Sequence, residues 1–310
     1  MISYFNLNVQ VRVCYLGFIW DIIEKVQIKT LQSKSILTPS KLPDADYVIN
    51  PYTGCRFGCT YCYASFMGRY VGKDIRDWGD YVFIKENAPE LLKEDLEKVK
   101  NKGRGKSILL SSVTDPYQGL EAKYKLTRRC LEVLLEWGFE GTLSILTKSD
   151  LVLRDVDLLK QFKNVEVGLT VTSTDDDISR YFEKYAPKVS QRFIALKKLN
   201  EAGMRTYAFV GPLLPHFVST PNKLDALFKA IYETGTKDLY VEHINLSKYI
   251  VDRLKAEMPA LDKDVLDKFY LSQDQSYREE LNKIVLGLVK KYNLRLRLGG
   301  AIYHKDSKGI

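Results

Sequence analysis

Cys55, Cys59 and Cys62 fall within eight residues, Cys55-Arg-Phe-Gly-Cys59-Thr-Tyr-Cys62, at spacings that could hold an iron–sulfur cluster. A [4Fe–4S] cube is normally held by four thiolates, so three on one short loop would leave one iron open to a substrate or cofactor. Gly54 and Gly58 flank and interrupt the loop. Without Cβ atoms they let the backbone wrap a cluster and bring N–H groups toward its sulfurs. A zinc site wants four ligands, usually as two pairs, whereas the other cysteines, Cys14 and Cys130, stand alone. Disulfides fit less well, because five cysteines is an odd number and a chain of 310 residues can bury a core without staples. Free thiols imply a reducing compartment, here the cytoplasm.

The CxxxCxxC spacing, with the aromatic Tyr61 just before the last cysteine, resembles the signature of the radical S-adenosylmethionine (radical SAM) superfamily. The resemblance implies two cofactors, a [4Fe–4S] cluster and S-adenosyl-L-methionine (SAM), whose amino nitrogen and carboxylate chelate the open iron. It also implies a one-electron reductant of the flavodoxin or ferredoxin type. An electron from the reduced cluster then cleaves the sulfonium to methionine and a 5′-deoxyadenosyl radical, which takes a hydrogen atom from substrate. The protein's part in such chemistry is binding, orientation and exclusion of side reactions.

The elements that must position this loop are read from alternating apolar and amphipathic runs. Strands are expected at Tyr47–Asn50, Ser107–Ser112, Thr142–Thr147, Val165–Thr172, Arg205–Val210 and Asp238–Ile244. Helices are expected at Pro89–Lys100, Tyr124–Trp137 (stopped by Gly138), Asp150–Phe162, Lys188–Ala202 and Asn222–Thr234. Strands alternating with helices imply a parallel sheet. Six such units fit the α/β partial (β/α)6 TIM-type barrel that the resemblance implies, whose active site collects at the strands' C-terminal ends. Beyond residue 247 the pattern turns helical, at Leu246–Glu257, Asp262–Phe269 and Gln275–Tyr292, with a short run Leu294–Leu298. The expected organisation is an N-terminal extension (1–36), the barrel (37–246) and a C-terminal helical cap (247–310) in the same domain. The partly apolar Val9–Ile23 contains Arg12 and Asp21 and lacks a small-residue cleavage site, so it reads as an added strand and helix or an upstream extension and not as a signal peptide. No run approaches the ~18 uninterrupted apolar residues of a membrane span.

Asn50-Pro-Tyr-Thr-Gly-Cys55, Tyr61-Cys62-Tyr63-Ala64 and Thr114-Asp115-Pro116-Tyr117-Gln118 resemble the branch that contains spore photoproduct lyase and relatives labelled as DNA repair photolyases. The likeness runs from Leu37 to Leu298. It implies that Thr114 and Asp115 meet the methionine end of SAM, that Lys148 lies near its carboxylate, and that Thr170 and Thr172 face it from one side of their strand. Tyr63 matches a tyrosine near the lyase's radical path, and Glu183 and Arg192 match a Glu and an Arg after the fourth strand. Each assignment has a plainer rival. Asp115-Pro116 could start a turn, Thr170 and Thr172 suit any strand, Lys148 could be solvated, and Tyr63 could pack under the loop. Where the lyase carries a radical-quenching cysteine this chain has Ser111-Ser112-Val113, and a serine O–H bond is too strong to replace a thiol. Cys130 lies among helical apolar spacings and reads as a buried small hydrophobe.

A formal charge of +8 leaves a nucleic-acid partner open, and Lys100, Lys102, Arg104 and Lys106 cluster around Gly103 and Gly105. That loop precedes a strand and so faces away from the expected active site. His216, Glu242, His243 and Asn245 follow or end the fifth and sixth strands; alternation lets only one of Glu242 and His243 face the barrel interior. No cysteine-rich extension follows the barrel, so further clusters are not expected. The reading is a radical SAM enzyme, lyase-like, acting on an unidentified substrate. Two alternatives stand beside it: DNA-lesion repair of the spore photoproduct lyase kind, and a non-catalytic iron–sulfur electron-transfer or nucleic-acid-binding protein.

Overall fold

The computed structural model describes residues 26–257 and 263–304; Val9–Ile23 and Cys14 lie outside them. Eleven strands occur among these residues: β1 Gln27–Leu31, β2 Leu37–Pro39, β3 Tyr47–Ile49, β4 Tyr52–Thr53, β5 Tyr81–Lys85, β6 Ser107–Leu110, β7 Thr142–Thr147, β8 Val165–Val171, β9 Arg205–Leu213, β10 Asp238–His243 and β11 Arg295–Leu296. Eight form one sheet in the order β11-β10-β9-β8-β7-β6-β3-β2. The six strands expected from the sequence, β3 and β6 to β10, are parallel neighbours at its centre. This is the parallel-strand α/β architecture of a partial (β/α)6 barrel. The short β1, β5 and β4 form a separate sheet, with β1 parallel to β5, so part of segment 1–36 is built into the fold.

Helices α1 Ala88–Leu96, α2 Glu121–Tyr124, α3 Leu126–Trp137, α4 Val156–Leu159, α5 Asp176–Phe182, α6 Val189–Glu201 and α7 Pro221–Glu233 lie in the crossovers. Leu126, Cys130, Val133 and Leu134 recur at helical spacing and are the buried face of α3. Gly138, left-handed at φ +77°, ends it. Leu143, Ile145, Val167, Leu169, Val171, Ala208 and Val210 are fully buried in the main apolar core. The opposite faces of the same strands line the barrel interior. Gly168 has the room its neighbour needs: a Cβ there would lie 2.2 Å from the Tyr207 ring, which fills the interior at mid-height.

Two expected helices are divided, each at a buried carboxylate. The Tyr124–Trp137 helix breaks at Lys125 (φ +51°), because the Glu121 carboxylate accepts the N–H groups of Thr127 (3.0 Å) and Arg128 (3.3 Å) and caps α3. The Asp150–Phe162 helix is a 3-10 turn, Asp150–Asp155, followed by the single turn of α4. Asp155 sits at their junction, fully buried and held by Arg128 (2.8 Å) and Arg154 (2.7 Å). The chain beyond residue 247 is not helical throughout. After α8 Lys248–Glu257, α9 Lys263–Leu271 and α10 Gln275–Lys291, the 294–298 run becomes β11, parallel to β10 at the sheet edge.

Candidate active site

β3 ends at Ile49 and delivers the chain to the cysteine loop at the C-terminal end of the sheet. The Asn50 side-chain oxygen accepts the N–H groups of Ser112 (3.0 Å) and Val113 (3.1 Å), tying this exit to that of β6. Gly54 adopts φ +90°, and a Cβ on it would lie 2.5 Å from the Tyr81 carbonyl oxygen, so only glycine fits. The loop then coils in turns that begin at its cysteines: Gly58 donates to the Cys55 carbonyl (3.3 Å), Cys62 to that of Cys59 (3.2 Å) and Ser65 to that of Cys62 (3.3 Å). Cys55 and Cys59 are buried and Cys62 is partly buried.

Burial and then the neighbouring Asp115, Cys59 and Cys62 push the Cys55 thiol well up. Burial lifts Cys59 to about 12 against the pull of Lys148, and lifts Cys62 against Lys148 and Arg253. Cys55 feels both other cysteines and Cys59 feels Cys62, so the three lie near one another, and a positive body among them would favour their ionisation. Among the described residues no three His, Cys, Asp or Glu side chains converge on a single-ion site. By its chemistry, three thiol donors on one loop, the donor set fits an iron–sulfur cluster bound by thiolates.

Thr114, Asp115 and Gln118, just past β6, support the loop from one side. Thr114 donates to the Gly54 carbonyl (2.6 Å) and accepts from the Gln118 amide (3.1 Å), while the Gln118 oxygen accepts the Arg56 N–H (2.8 Å). One Asp115 oxygen accepts from the Thr147 hydroxyl (2.6 Å) and the Tyr117 N–H (2.9 Å), the other from the Lys148 N–H (2.8 Å). Asp115 thus joins the exits of β6 and β7. Burial raises its carboxyl more than these bonds lower it.

Glu183 gathers the other side. Its carboxylate accepts from the Tyr61 hydroxyl, the Arg192 guanidinium, Ser179 (3.0 Å) and Thr172 (3.4 Å), with the Lys148 ammonium 3.9 Å away. Burial pushes this carboxyl up, but Arg192 and Lys148 outweigh it and hold it below its ordinary value. Burial likewise lowers Lys148, but Cys59 and Glu183 prevail and raise it. The backbone follows the same contact: Thr60 donates to the Phe182 carbonyl (2.9 Å), Tyr185 to that of Phe57 (3.1 Å), and Cys59 pairs with Glu183 as an isolated bridge.

Tyr61, Lys148 and Thr172 are therefore brought together at Glu183, and Thr114 and Asp115 beside Gly54 and β7. Thr170 is buried on the same strand face as Thr172, and its carbonyl accepts from Arg192 (3.1 Å). Tyr63 is 43% exposed, donates its hydroxyl to the Ser112 carbonyl, and receives the Tyr249 hydroxyl on its own carbonyl (3.0 Å). Glu242 lies on the interior face with His304 at 2.9 Å, whereas His243 turns into the helical layer and binds the Ser272 carbonyl (3.0 Å). The basic loop lies at the opposite end of the sheet. There Arg104 pairs with Glu140 (2.5 Å), Lys106 with Asp46 (2.9 Å), and Lys102 covers Trp137 (4.3 Å).

Sequence reasoning gave no role to Gln118, Ser179 or Asn50. The signal present was local: each is a small set of hydrogen-bonding atoms close to a strand exit, and its partners, the next strand's exit for Asn50, the cysteine loop for Gln118 and the Glu183 carboxylate for Ser179, are set by the fold.

The sequence profile described as "Radical SAM superfamily" matches residues 49–219, more than half of the chain. An uncharacterized protein of Methanocaldococcus jannaschii is 41% identical over 194 residues, covering 63% of this chain and 70% of that one. An uncharacterized protein of Acidianus two-tailed virus is 28% identical over 267 residues, covering 80% and 81%. Among solved structures, a spore photoproduct lyase variant aligns with TM-score 0.64 at 17% identity over 86% of this chain and 79% of that one. Spore photoproduct lyase complexed with dinucleoside spore photoproduct aligns with TM-score 0.62 at 17% identity over 88% and 81%. At these identities the likeness to the lyase is one of fold. The profile match spans β3 to the turn after β9 and takes in all three loop cysteines, and on that ground the chain belongs to the radical SAM superfamily.

Proposed function

We propose that this chain is a radical SAM enzyme of the lyase-like branch, holding a [4Fe–4S] cluster on Cys55, Cys59 and Cys62 and SAM at the iron they leave open. The observation that carries the reading is three cysteines on one loop at the C-terminal end of a parallel sheet, Cys55 and Cys59 buried and Cys62 partly so. When bound, these groups supply one-electron cleavage of the sulfonium to methionine and a 5′-deoxyadenosyl radical that takes a hydrogen atom from substrate.

The chain's own residues fix the frame for this. Thr114 and Gln118 hold the loop at Gly54, and Asp115 ties the β6 exit that carries them to the end of β7. Lys148 places a positive charge beside Cys59 and Cys62, where it favours the thiolates and an anionic carboxylate alike. Thr170 and Thr172 line the adjoining strand face, on which the methionine end of SAM would rest. Tyr63, open on one side and anchored through Ser112, stands where substrate would enter.

The substrate is left open. Nothing in Ser111-Ser112-Val113 can donate a thiol hydrogen. Cys130 is fully buried on α3, its thiol pushed up first by burial and then by Glu121. Both observations favour a substrate that needs no protein thiol, and neither favours lesion repair by the lyase route.

The test is anaerobic reconstitution followed by dithionite and SAM, with 5′-deoxyadenosine as the readout. Wild type should form it and Cys59→Ala should remain at background. Equal yields from both would overturn the proposal. Retained iron with no product from wild type would favour the non-catalytic cluster protein.

A further inference from the structure

Behind Tyr61 a run of aromatic rings leads from the loop to the surface. Tyr61, between Cys59 and Cys62, lies 6.5 Å from Phe182 between ring centroids. Phe182 is fully buried and meets the edge of Tyr181 at 5.2 Å and of Phe217 at 5.0 Å. Tyr181, at the end of α5, is 43% exposed. Phe217 in turn meets exposed His216 at 5.1 Å. The run is also joined to the loop through the backbone, because the Phe182 carbonyl accepts the Thr60 N–H. Tyr185, 40% exposed, covers the loop nearby: its ring lies 3.4 Å from where a Gly58 Cβ would stand, and the Arg56 guanidinium sits 3.8 Å above it.

Exposed cations flank these rings, interspersed with the exposed carboxylates of Asp175, Asp177 and Asp267. Arg180 precedes Tyr181, and Lys184 and Lys188 follow on the same excursion. Lys268 of α9 donates to the His216 ring at 3.1 Å. Burial, then Lys268 and Lys223, hold His216 below its ordinary value, so both lysines act on one spot. Asp176 of α5 is turned to Ser190 (2.7 Å), while Asp177 and the N-cap Asp175 are exposed. Exposed tyrosines with a flanking Arg are the composition of a protein-docking face, and the lysines around them add charge that steers an acidic partner.

We propose that the face carrying Tyr181, Tyr185, Arg180 and Lys268 docks an acidic one-electron carrier protein, whose electron reaches the cysteine loop by way of Phe182 and Tyr61. This rests on the radical SAM reading, which requires that electron. The carrier's reduced flavin or iron–sulfur centre loses one electron and the cluster gains it; no bond or proton changes place in Tyr181, Phe182 or Tyr61. A single-stranded nucleic acid could also stack on exposed tyrosines among basic groups. What favours the carrier is the buried continuation through Phe182 to the thiol loop, for which a stacked base has no use.

The probe is a reduced, acidic flavodoxin, offered to the full-length wild type and to the double variant Arg180→Glu/Lys268→Glu. Flavodoxin binding is measured on cluster-free and reconstituted protein, and cluster reduction by stopped-flow absorbance. The variant should bind about tenfold or more weakly at low salt, a gap that closes at high salt, and should be reduced correspondingly slowly by flavodoxin. Dithionite, which needs no docking, should reduce both proteins alike. Equal flavodoxin affinity and equal reduction rate would overturn the proposal. So would slowing with dithionite to the same extent, or loss of oligonucleotide binding with flavodoxin untouched. If wild type makes no 5′-deoxyadenosine with dithionite, the enzyme reading fails separately, while the binding titration still reports on the face.

Discussion

At Glu183 a buried carboxylate is stabilised by two cations and three hydroxyls while itself holding the cysteine loop. Glu183 and Arg192 are both fully buried, so desolvation opposes the pair and the surrounding bonds must offset it. Glu183→Gln keeps the shape and can still accept from Tyr61, but it leaves the Arg192 charge uncompensated. The variant should lose about 3–5 kcal/mol of stability in urea unfolding of the cluster-free chain. Adding Arg192→Met should return part of that loss, because the stranded charge is then gone. A single variant within about 1 kcal/mol of wild type would deny the hub its role. In the sequence both residues stood out by resemblance, yet no role could be read for them. Glu183 and Arg192 lie nine positions apart on different elements, and Tyr61 and Lys148 reach them only through the fold.

The helical cap meets the sheet at the end of β10, where strand alternation turns His243 outward and Glu242 inward. His243 is buried, donates through Nε2 to the Ser272 carbonyl, and packs between Tyr277 (5.7 Å) and Tyr303 (5.6 Å). Burial, with Arg278 and His304 adding to it, lowers its pKa from 6.5 to about 4. The unfolded chain therefore binds more protons than the folded one between these values. The stability this neutral imidazole carries is complete above pH 6.5 and is lost as pH falls toward 4, by about 3 kcal/mol at most. Wild type should lose its advantage over His243→Gln across that window when unfolding is followed from pH 7 to 4.5. Parallel curves would remove His243 from the acid response. The elements themselves were readable to differing degrees. The six central strands are apolar runs between turn residues and showed themselves. The breaks in the helices after β6 and β7 did not, since the side-chain bonds of Glu121 to Thr127 and Arg128 and of Asp155 to Arg128 and Arg154 leave no mark on the apolar periodicity. β11 spans two residues and is defined by its pairing with β10, which no local pattern reveals.

Across the whole molecule the two ends of the barrel divide the work. Thiols, Lys148 and Tyr63 occupy the C-terminal end, while the N-terminal end is closed by an ionic floor. Arg297, just past β11, reaches under the barrel and grips Glu166 of β8 with two bonds of 2.8 Å. Its guanidinium also lies over Tyr207 (4.8 Å) and Tyr240 (5.3 Å). Arg205 approaches the same carboxylate at 3.6 Å. Burial pushes the Glu166 carboxyl up, but Arg297 more than reverses this, so the floor holds a charged pair at neutral pH. An open parallel sheet has a free edge, and this contact binds the last strand to the middle of the sheet. Arg297→Met keeps the apolar stem over the tyrosines but removes the fork, and should cost about 2–3 kcal/mol in urea. Arg297→Lys should recover less than half, because a point charge cannot make both bonds. At temperatures well below unfolding, 5′-deoxyadenosine formation per cluster should be unchanged in both, since the floor lies at the opposite strand ends from the thiols. Loss of product in a folded, cluster-loaded Arg297→Met protein would show instead that the floor reaches the site through the strands.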